Sequence, residues 1–505
     1  MSNFNKQQLL ELMVNIAPGR GTAEHECDEH KVFLKNFLPV PDYRRALEPG
    51  VLLILGGSGV GKTELFRLLA IPSGRTALVQ NLGIRALPPL EKTTWIAAFG
   101  RTTQREKTFP VPETVAARMQ NASSIDWQTF WIGLILGVML QQNKDSLNTS
   151  WADGIAVETR EILINKLPLL SEWLPLVRQD IEKINSALDL LDEQLFNTEQ
   201  WLFVTYDELH RVVTSYNELA APIRELLAFW LDRWQRWKRI IPKIFLRTDL
   251  FREDFLDFPD ASKLRAHQIN LEWKPSLLYQ LLFKRLANSG LEMKEYLHIV
   301  PNLITESNTV FGVMTTREEA ILELMVEKII GKFMGANARQ GYTYTWIYNR
   351  LQDAGGRIAP RSFLKLFSLA ANLRLEKFSE QSLQRTALLD PSDLQGALID
   401  TSDDRIRELA QEEYPWLEAL KLSLRGLEVP IQTSKFLEAL ASTEWSEQHD
   451  KRPPSLKSEE VLKYLVQLGI VESSSERINM PEIYLYGFQV KREGGVKRPK
   501  GQLNL

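Results

Sequence analysis

The first sharply patterned segment of the chain is Val51-Leu52-Leu53-Ile54-Leu55, an uninterrupted apolar run of the kind a strand buried on both faces shows. Glu64-Leu65-Phe66-Arg67-Leu68-Leu69-Ala70 then has helical spacing, so strand, short turn and helix follow in order. Trp201-Leu202-Phe203-Val204-Thr205-Tyr206 and Ile240-Ile241-Pro242-Lys243-Ile244-Phe245-Leu246 predict two more strands, and Thr76-Ala77-Leu78-Val79 is the candidate second strand. Well over a hundred residues separate the first helix from the strand at Trp201. That insertion reads as a helical elaboration, with a core helix over Ile132–Leu140 and a long helical segment over Ser171–Leu195. The Pro- and Thr-rich stretch from Thr102 to Thr114 reads as a surface excursion rather than a site. Trp230, Trp234 and Trp237 fall at i, i+4 and i+7, one helical face that serves either as core or as an interface.

From about Lys263 to Glu376 the pattern is largely helical, and Leu389-Asp390-Pro391-Ser392 opens a further helical stretch. Ser434 to Val490 has the layout of a winged helix: helices over Phe436–Leu440 and Ser458–Leu468, Gly469 as a C-cap, a strand from Ile470, then Arg477-Ile478 and Ile483–Val490 as a small wing. The expected architecture is α/β: a parallel sheet with helical insertions, followed by a helical lid and a C-terminal winged-helix-like domain. The boundaries read 1–50 for a lead-in, 51–262 for the core that holds the sheet, 263–376 for the lid, 377–433 for a helical connector and 434–505 for the last domain with its tail.

The chemistry concentrates at the first strand-to-helix turn. Gly56-Gly57-Ser58-Gly59-Val60-Gly61-Lys62-Thr63 matches G-x-x-x-x-G-K-[ST], and strand before and helix after are the context that pattern needs. Glycines let backbone N–H groups turn inward, the helix N-terminus adds positive potential, Lys62 can reach the β- and γ-phosphates, and Thr63 can offer a hydroxyl to Mg²⁺. Gly56 through Thr63, with Glu64, are therefore the candidate ATP-binding residues. The strand at Trp201 ends in Asp207-Glu208. Asp207 is placed to hold Mg²⁺ and Glu208 to polarise an attacking water, which favours hydrolysis over kinase chemistry. The alternative is that both are solvated acids opening a helix. Arg247, closing the strand at Ile240, either contacts the γ-phosphate or pairs with Asp249 or Asp254.

The order of these elements resembles the AAA+/STAND side of the P-loop ATPases, more narrowly the bacterial ATPases found with anti-phage defence genes. Gly21-Thr22-Ala23-Glu24 stands where that family has a Gly/Ala-Glu box; Asn270-Leu271-Glu272-Trp273 with Leu277–Arg285 resembles its post-sensor helix; Gly355-Gly356-Arg357-Ile358-Ala359-Pro360-Arg361 resembles its Pro-Arg lid element. The resemblance spans about Gly21 to Lys491, and only the Walker pair is highly specific. It implies ATP hydrolysis with Mg²⁺, a nucleotide-sensing role for Arg361, self-assembly and a separate effector protein. No second, clearly placed arginine finger is evident.

Composition adds bounds. With 505 residues, 44% hydrophobic and 25% charged, the chain is long enough for two or three globular domains. Its single cysteine, Cys27, excludes an intramolecular disulfide framework and fits a reducing cytoplasm, and the N-terminus shows no signal-peptide pattern. The longest apolar patch falls well short of the roughly 20 residues a membrane span needs. A formal charge of -3 gives no global attraction to nucleic acid, so any contact there must come from a local patch, for which the C-terminal domain is the candidate. Ser458-Glu459-Glu460 makes the second helix of that domain acidic at its start, whereas the tail Lys491–Lys500 is basic and is either a phosphate grip or a solvated terminus. His25, Cys27 and His30 match no defensible metal-ligand spacing. No nuclease, protease, glycosidase or methyl-transfer constellation is present.

Overall fold

The apolar run at Leu53–Gly56 (β1) is buried along its whole length, which requires neighbours on both sides. In the computed structural model it lies in a parallel sheet with Thr93–Phe99 (β2), Trp201–Tyr206 (β3), Ile240–Arg247 (β4) and Gln268–Asn270 (β5), in the order β2-β3-β4-β1-β5. The structure describes residues 4–17, 30–85, 88–102, 107–142, 150–214, 218–251, 256–377, 387–448, 451–474 and 476–494. Strand β4 stands between β1 and β3, with Gly56 opposite Arg247 and Tyr206 opposite Ile244. Because all pairings are parallel, the carboxyl ends of the strands share one edge of the sheet, where ligands bind in such folds.

Thr76–Val79 is not a strand. Extended Ile71 followed by Pro72 at the first helical position starts a helix, Pro72–Asn81, which buries Gly74, Ala77 and Leu78. The true neighbour of β3 is β2. In the insertion, every residue from Thr129 to Leu140 of the helix Ser124–Gln142 is buried. A Cβ on Gly133 would stand 2.2 Å from Trp173 Cζ3 and one on Gly137 2.5 Å from Leu167 Cδ1, so both glycines set how closely the next helices approach. The segment read as one helix from Ser171 to Leu195 is two, Leu170–Gln179 and Ile181–Asn197. They part at Asp180, whose carboxylate accepts from Thr159 Oγ1 at 2.8 Å and holds the turn against a third helix, Val157–Lys166. Trp230 and Trp237 are core, and Trp234 is half-buried against His267.

Beyond β5 the lid comprises Pro275–Ser289, Glu319–Ile329, Thr343–Leu351 and Pro360–Glu376, together with an antiparallel hairpin, Ile304–Asn308 with Gly312–Thr315, that the helical reading did not include. The helix Pro391–Glu412 packs along Pro360–Glu376, and so does the first helix of the chain, Lys6–Val14. Ser368 Oγ donates to Val14 O at 2.5 Å at that contact. Among the described residues the C-terminal unit has helices Thr433–Ala441 and Ser458–Gln467 and a small sheet of Ile431–Gln432, Arg477–Asn479 and Glu472–Ser473, a winged-helix-like arrangement. Gly469 caps the second helix with φ +73. Ile483–Val490 does not form the expected wing. Glu482–Leu485 is a short helix, and a Cβ on Gly487 would stand 2.7 Å from Ser402 O, so this segment packs against Pro391–Glu412 instead of pairing as a strand.

Candidate active site

Between β1 and the helix Lys62–Ala70 the chain turns through Gly59 (φ +75) and Gly61 (φ +93), backbone states that favour glycine. A Cβ on Gly56 would stand 2.5 Å from Val60 Cγ2, so the loop closes only because Gly56 lacks one. Lys62 Nζ donates to Gly56 O at 2.9 Å and Gly57 O at 2.8 Å, folding the ammonium onto the loop's own carbonyls. Burial lowers the Lys62 pKa, while Glu413 and Asp207 push it back up. Trp273, just after β5, braces the loop by donating from Nε1 to Val60 O at 2.9 Å.

Asp207 follows β3 and is 3% exposed. Burial raises its pKa, and the Thr63 hydroxyl, hydrogen-bonded to the carboxylate, lowers it. Its second oxygen, Oδ2, is buried without a hydrogen-bond partner among the described residues. Glu208 has φ 52 and ψ 30, a left-handed conformation that costs a non-glycine residue roughly 1–2 kcal/mol. Its carboxylate receives Arg101 Nε at 3.2 Å and faces Arg211 Nη1 at 3.8 Å. His210 beside it is pushed down to about 3 by burial and by the charges of Arg247 and Lys62, and is neutral throughout the physiological range.

Arg247 lies at the same sheet edge, held by Asp249 at 2.7 and 3.0 Å, by Glu413 at 3.2 Å and by the Tyr414 hydroxyl. Of the two sequence readings for Arg247, the ion pair is the arrangement present. Arg361 begins the lid helix against the P-loop: a Cβ on Gly59 would stand 3.7 Å from Arg361 Cβ. Its guanidinium is engaged by Glu412 at 2.9 and 3.2 Å and by Glu408 at 3.7 Å.

A cavity of about 640 Å³ joins these groups. Ser58, Gly59, Lys62, Thr63, Asp207, Glu208, Arg247 and Arg361 all line it. Glu64 is not among its lining residues and faces Arg285, 3.5 Å away. The Thr63 hydroxyl with the unpartnered Asp207 oxygen is an oxygen-only donor pair of the kind Mg²⁺ takes, so these two residues fit that ion. No cluster of three or more metal-ligating side chains occurs among the described residues; His25 and Cys27 lie outside them, as do Gly21–Glu24, Asp254 and the tail from Gly495.

Sequence reasoning missed five contributors. Arg101 follows β2, whose apolar stretch Trp95–Phe99 was its signal; Arg211 stands three residues after Glu208. Pro112 and Glu113, at the start of the helix Pro112–Arg118, line the cavity although the stretch that contains them, Thr102 to Thr114, read as a surface excursion rather than a site. Glu413 comes from the far end of the chain and carries no local signal.

No protein-family model matches the sequence, and no curated protein matches it. Solved structures align at low similarity. The Aeropyrum pernix ORC2 protein in ADPNP and ADP complexes is 14% identical with a TM-score of 0.29, covering 87% of this chain and 88% of that one. The Walker-type ATPase PABY2304 of Pyrococcus abyssi is 14% identical with a TM-score of 0.35, covering 87% and 91%. The Aeropyrum pernix ORC1 protein in complex with DNA is 12% identical with a TM-score of 0.33, covering 90% and 92%. The chemistry rests on the site's own geometry.

Proposed function

We propose that the chain binds ATP and hydrolyses it to ADP and phosphate. One observation carries the reading: Lys62 and Thr63 of the P-loop share a cavity with Asp207 and Glu208 at the tip of β3, and Thr63 touches Asp207 directly. The P-loop N–H groups and Lys62 bind and orient the phosphates. Thr63 and Asp207 would hold Mg²⁺, which when bound would neutralise phosphate charge. Glu208 accepts the proton of the attacking water, and Arg361 and Arg247, both ion-paired at rest, stand at the cavity wall within the same site.

Glu208→Gln is expected to cut phosphate release about 10²–10³-fold while ATP binding persists, and Lys62→Ala to weaken binding itself. Titration calorimetry and steady-state phosphate release separate the two effects. An unaltered rate in Glu208→Gln overturns the assignment.

The resemblance to AAA+/STAND ATPases supports a wider role: assembly with further copies of itself and the driving or licensing of a separate effector in bacterial anti-phage defence. A second reading, a slow switch that hydrolysis only resets, is favoured by the resting contacts: Glu208 is held by Arg101, and Arg361 by Glu412. Size measurement with ADP and with a non-hydrolysable ATP analogue distinguishes them, since a switch changes assembly with nucleotide. A DNA-acting ATPase has weaker support, because Glu459 and Glu460 occupy the first turn of the second helix in the winged unit.

A further inference from the structure

A second cavity, of about 470 Å³, opens between the P-loop, the lid and the C-terminal unit, and hydrolysis gives it no task. Gly57, Ser58 and Val60 form one side; Arg405 and Tyr484 form another. Most of the charge around it is paired internally: Arg357 meets Asp353 at 3.0 Å and Asp249 meets Arg247 at 2.7 Å. Arg405 differs. It projects from the helix Pro391–Glu412, is 9% exposed, and its Nη1 is buried with no hydrogen-bond partner among the described residues. That nitrogen stands 3.7 Å from the place a Cβ on Gly59 would take, at the lip of the anion cradle. A buried guanidinium donor without an acceptor is costly, and in native proteins such a donor usually has a ligand, ion or water to meet.

We propose that Arg405 donates to a phosphate oxygen of the nucleotide held by the P-loop, and that its contact with Tyr484 carries nucleotide occupancy to the C-terminal unit. The Tyr484 hydroxyl is hydrogen-bonded to the Arg405 guanidinium and sits in the short helix Glu482–Leu485, so one side chain joins the two. Burial opposes the charge on Arg405, but Tyr484, Glu408 and Glu413 keep it protonated. A guanidinium suits this position because its fork of donors can serve a phosphate and a phenol together. Sequence gave no hint of it, because Arg405 is about 350 residues from the loop it faces. The inference rests on the nucleotide reading above.

The test uses the full chain with Mg²⁺ and either ATP or ADP. Arg405→Gln is expected to weaken nucleotide binding at least tenfold in titration calorimetry, with Arg405→Lys recovering part of the loss. The rise in unfolding midpoint on adding ATP should shrink in Arg405→Gln, whereas a merely structural arginine would lower the nucleotide-free midpoint and leave that rise intact. Tyr484→Phe should bind nucleotide within about threefold of the parent yet lose the nucleotide-dependent slowing of hydrogen exchange across residues 458–490. Arg405→Gln with affinity within twofold of the parent, while Lys62→Ala abolishes binding, overturns the proposal alone. A parent protein that binds neither nucleotide overturns the nucleotide reading itself. Exchange that still slows in Tyr484→Phe overturns the relay.

Discussion

Glu208 is held in a backbone state that disfavours side chains, and its carboxylate lies between Arg101 and Arg211, so it is charge-compensated at rest. Arg101 is 37% exposed, which makes its ion pair with Glu208 a weak one, of the order of 0.5–1 kcal/mol. Arg101→Ala is therefore expected to raise basal phosphate release about twofold to fivefold at saturating ATP, with Kd unchanged, because the carboxylate is freed to meet water. A rate that falls instead would show that Arg101 positions Glu208 rather than restrains it. The P-loop and the Asp-Glu pair were readable because each is contiguous in sequence and lies at a strand end. Arg101 and Glu413 were not, since their meeting with Glu208 and Arg247 depends on strand order and lid packing that no local pattern encodes.

Among the elements, β4 carries an anomaly: Lys243, fully buried in the middle of an apolar strand. Its ammonium donates to Val51 O at 2.6 Å and Glu48 O at 2.5 Å, tying β4 to the chain that enters β1. Burial lowers its pKa to about 7 from an ordinary value of 10.5. Between those two values the unfolded chain binds the proton and the folded chain does not, so this group makes stability rise with pH across that window; below about 7 both states are protonated and the slope vanishes. Lys243→Met should remove up to about 1.4 kcal/mol of stability change per pH unit, measured as urea midpoints at several pH values above neutrality. In the insertion, Gly133→Ala drives a methyl into Trp173 and is expected to cost about 1–3 kcal/mol, read from the thermal midpoint. The helix Ser124–Gln142 was legible from its apolar run, but the close approach at Gly133 was not, because helix-to-helix distance is a tertiary quantity. Thr76–Val79 and Ile483–Val490 misled for a related reason: short apolar runs fit strand and buried helix alike, and Pro72 and Pro481 decided in favour of helix starts.

At the scale of the whole molecule, the winged unit meets the lid at a backbone hydrogen bond, Ala354 N donating to Gly469 O at 2.8 Å. Gly469 has φ +73 there, and a Cβ on it would stand 2.9 Å from Asp353 Oδ2. Gly469→Val is expected to loosen this docking by about 1–3 kcal/mol, seen as faster limited proteolysis near residues 442–448 with the core's unfolding midpoint little changed. No helix among the described residues is long and apolar enough to cross a membrane. The apolar interior of the lid is continuous with that of the N-terminal segment and of the winged unit, which the residue-by-residue boundaries did not convey.

The seam between Lys6–Val14 and Pro360–Glu376 has a practical bearing. Because the opening helix is glued to the element that carries Arg361, any tilt of that element must take the front of the polypeptide along. A fluorophore at Phe4, paired with a second on the outer face of the insertion, would turn nucleotide-driven swinging into a distance change that single-molecule energy transfer can follow in real time.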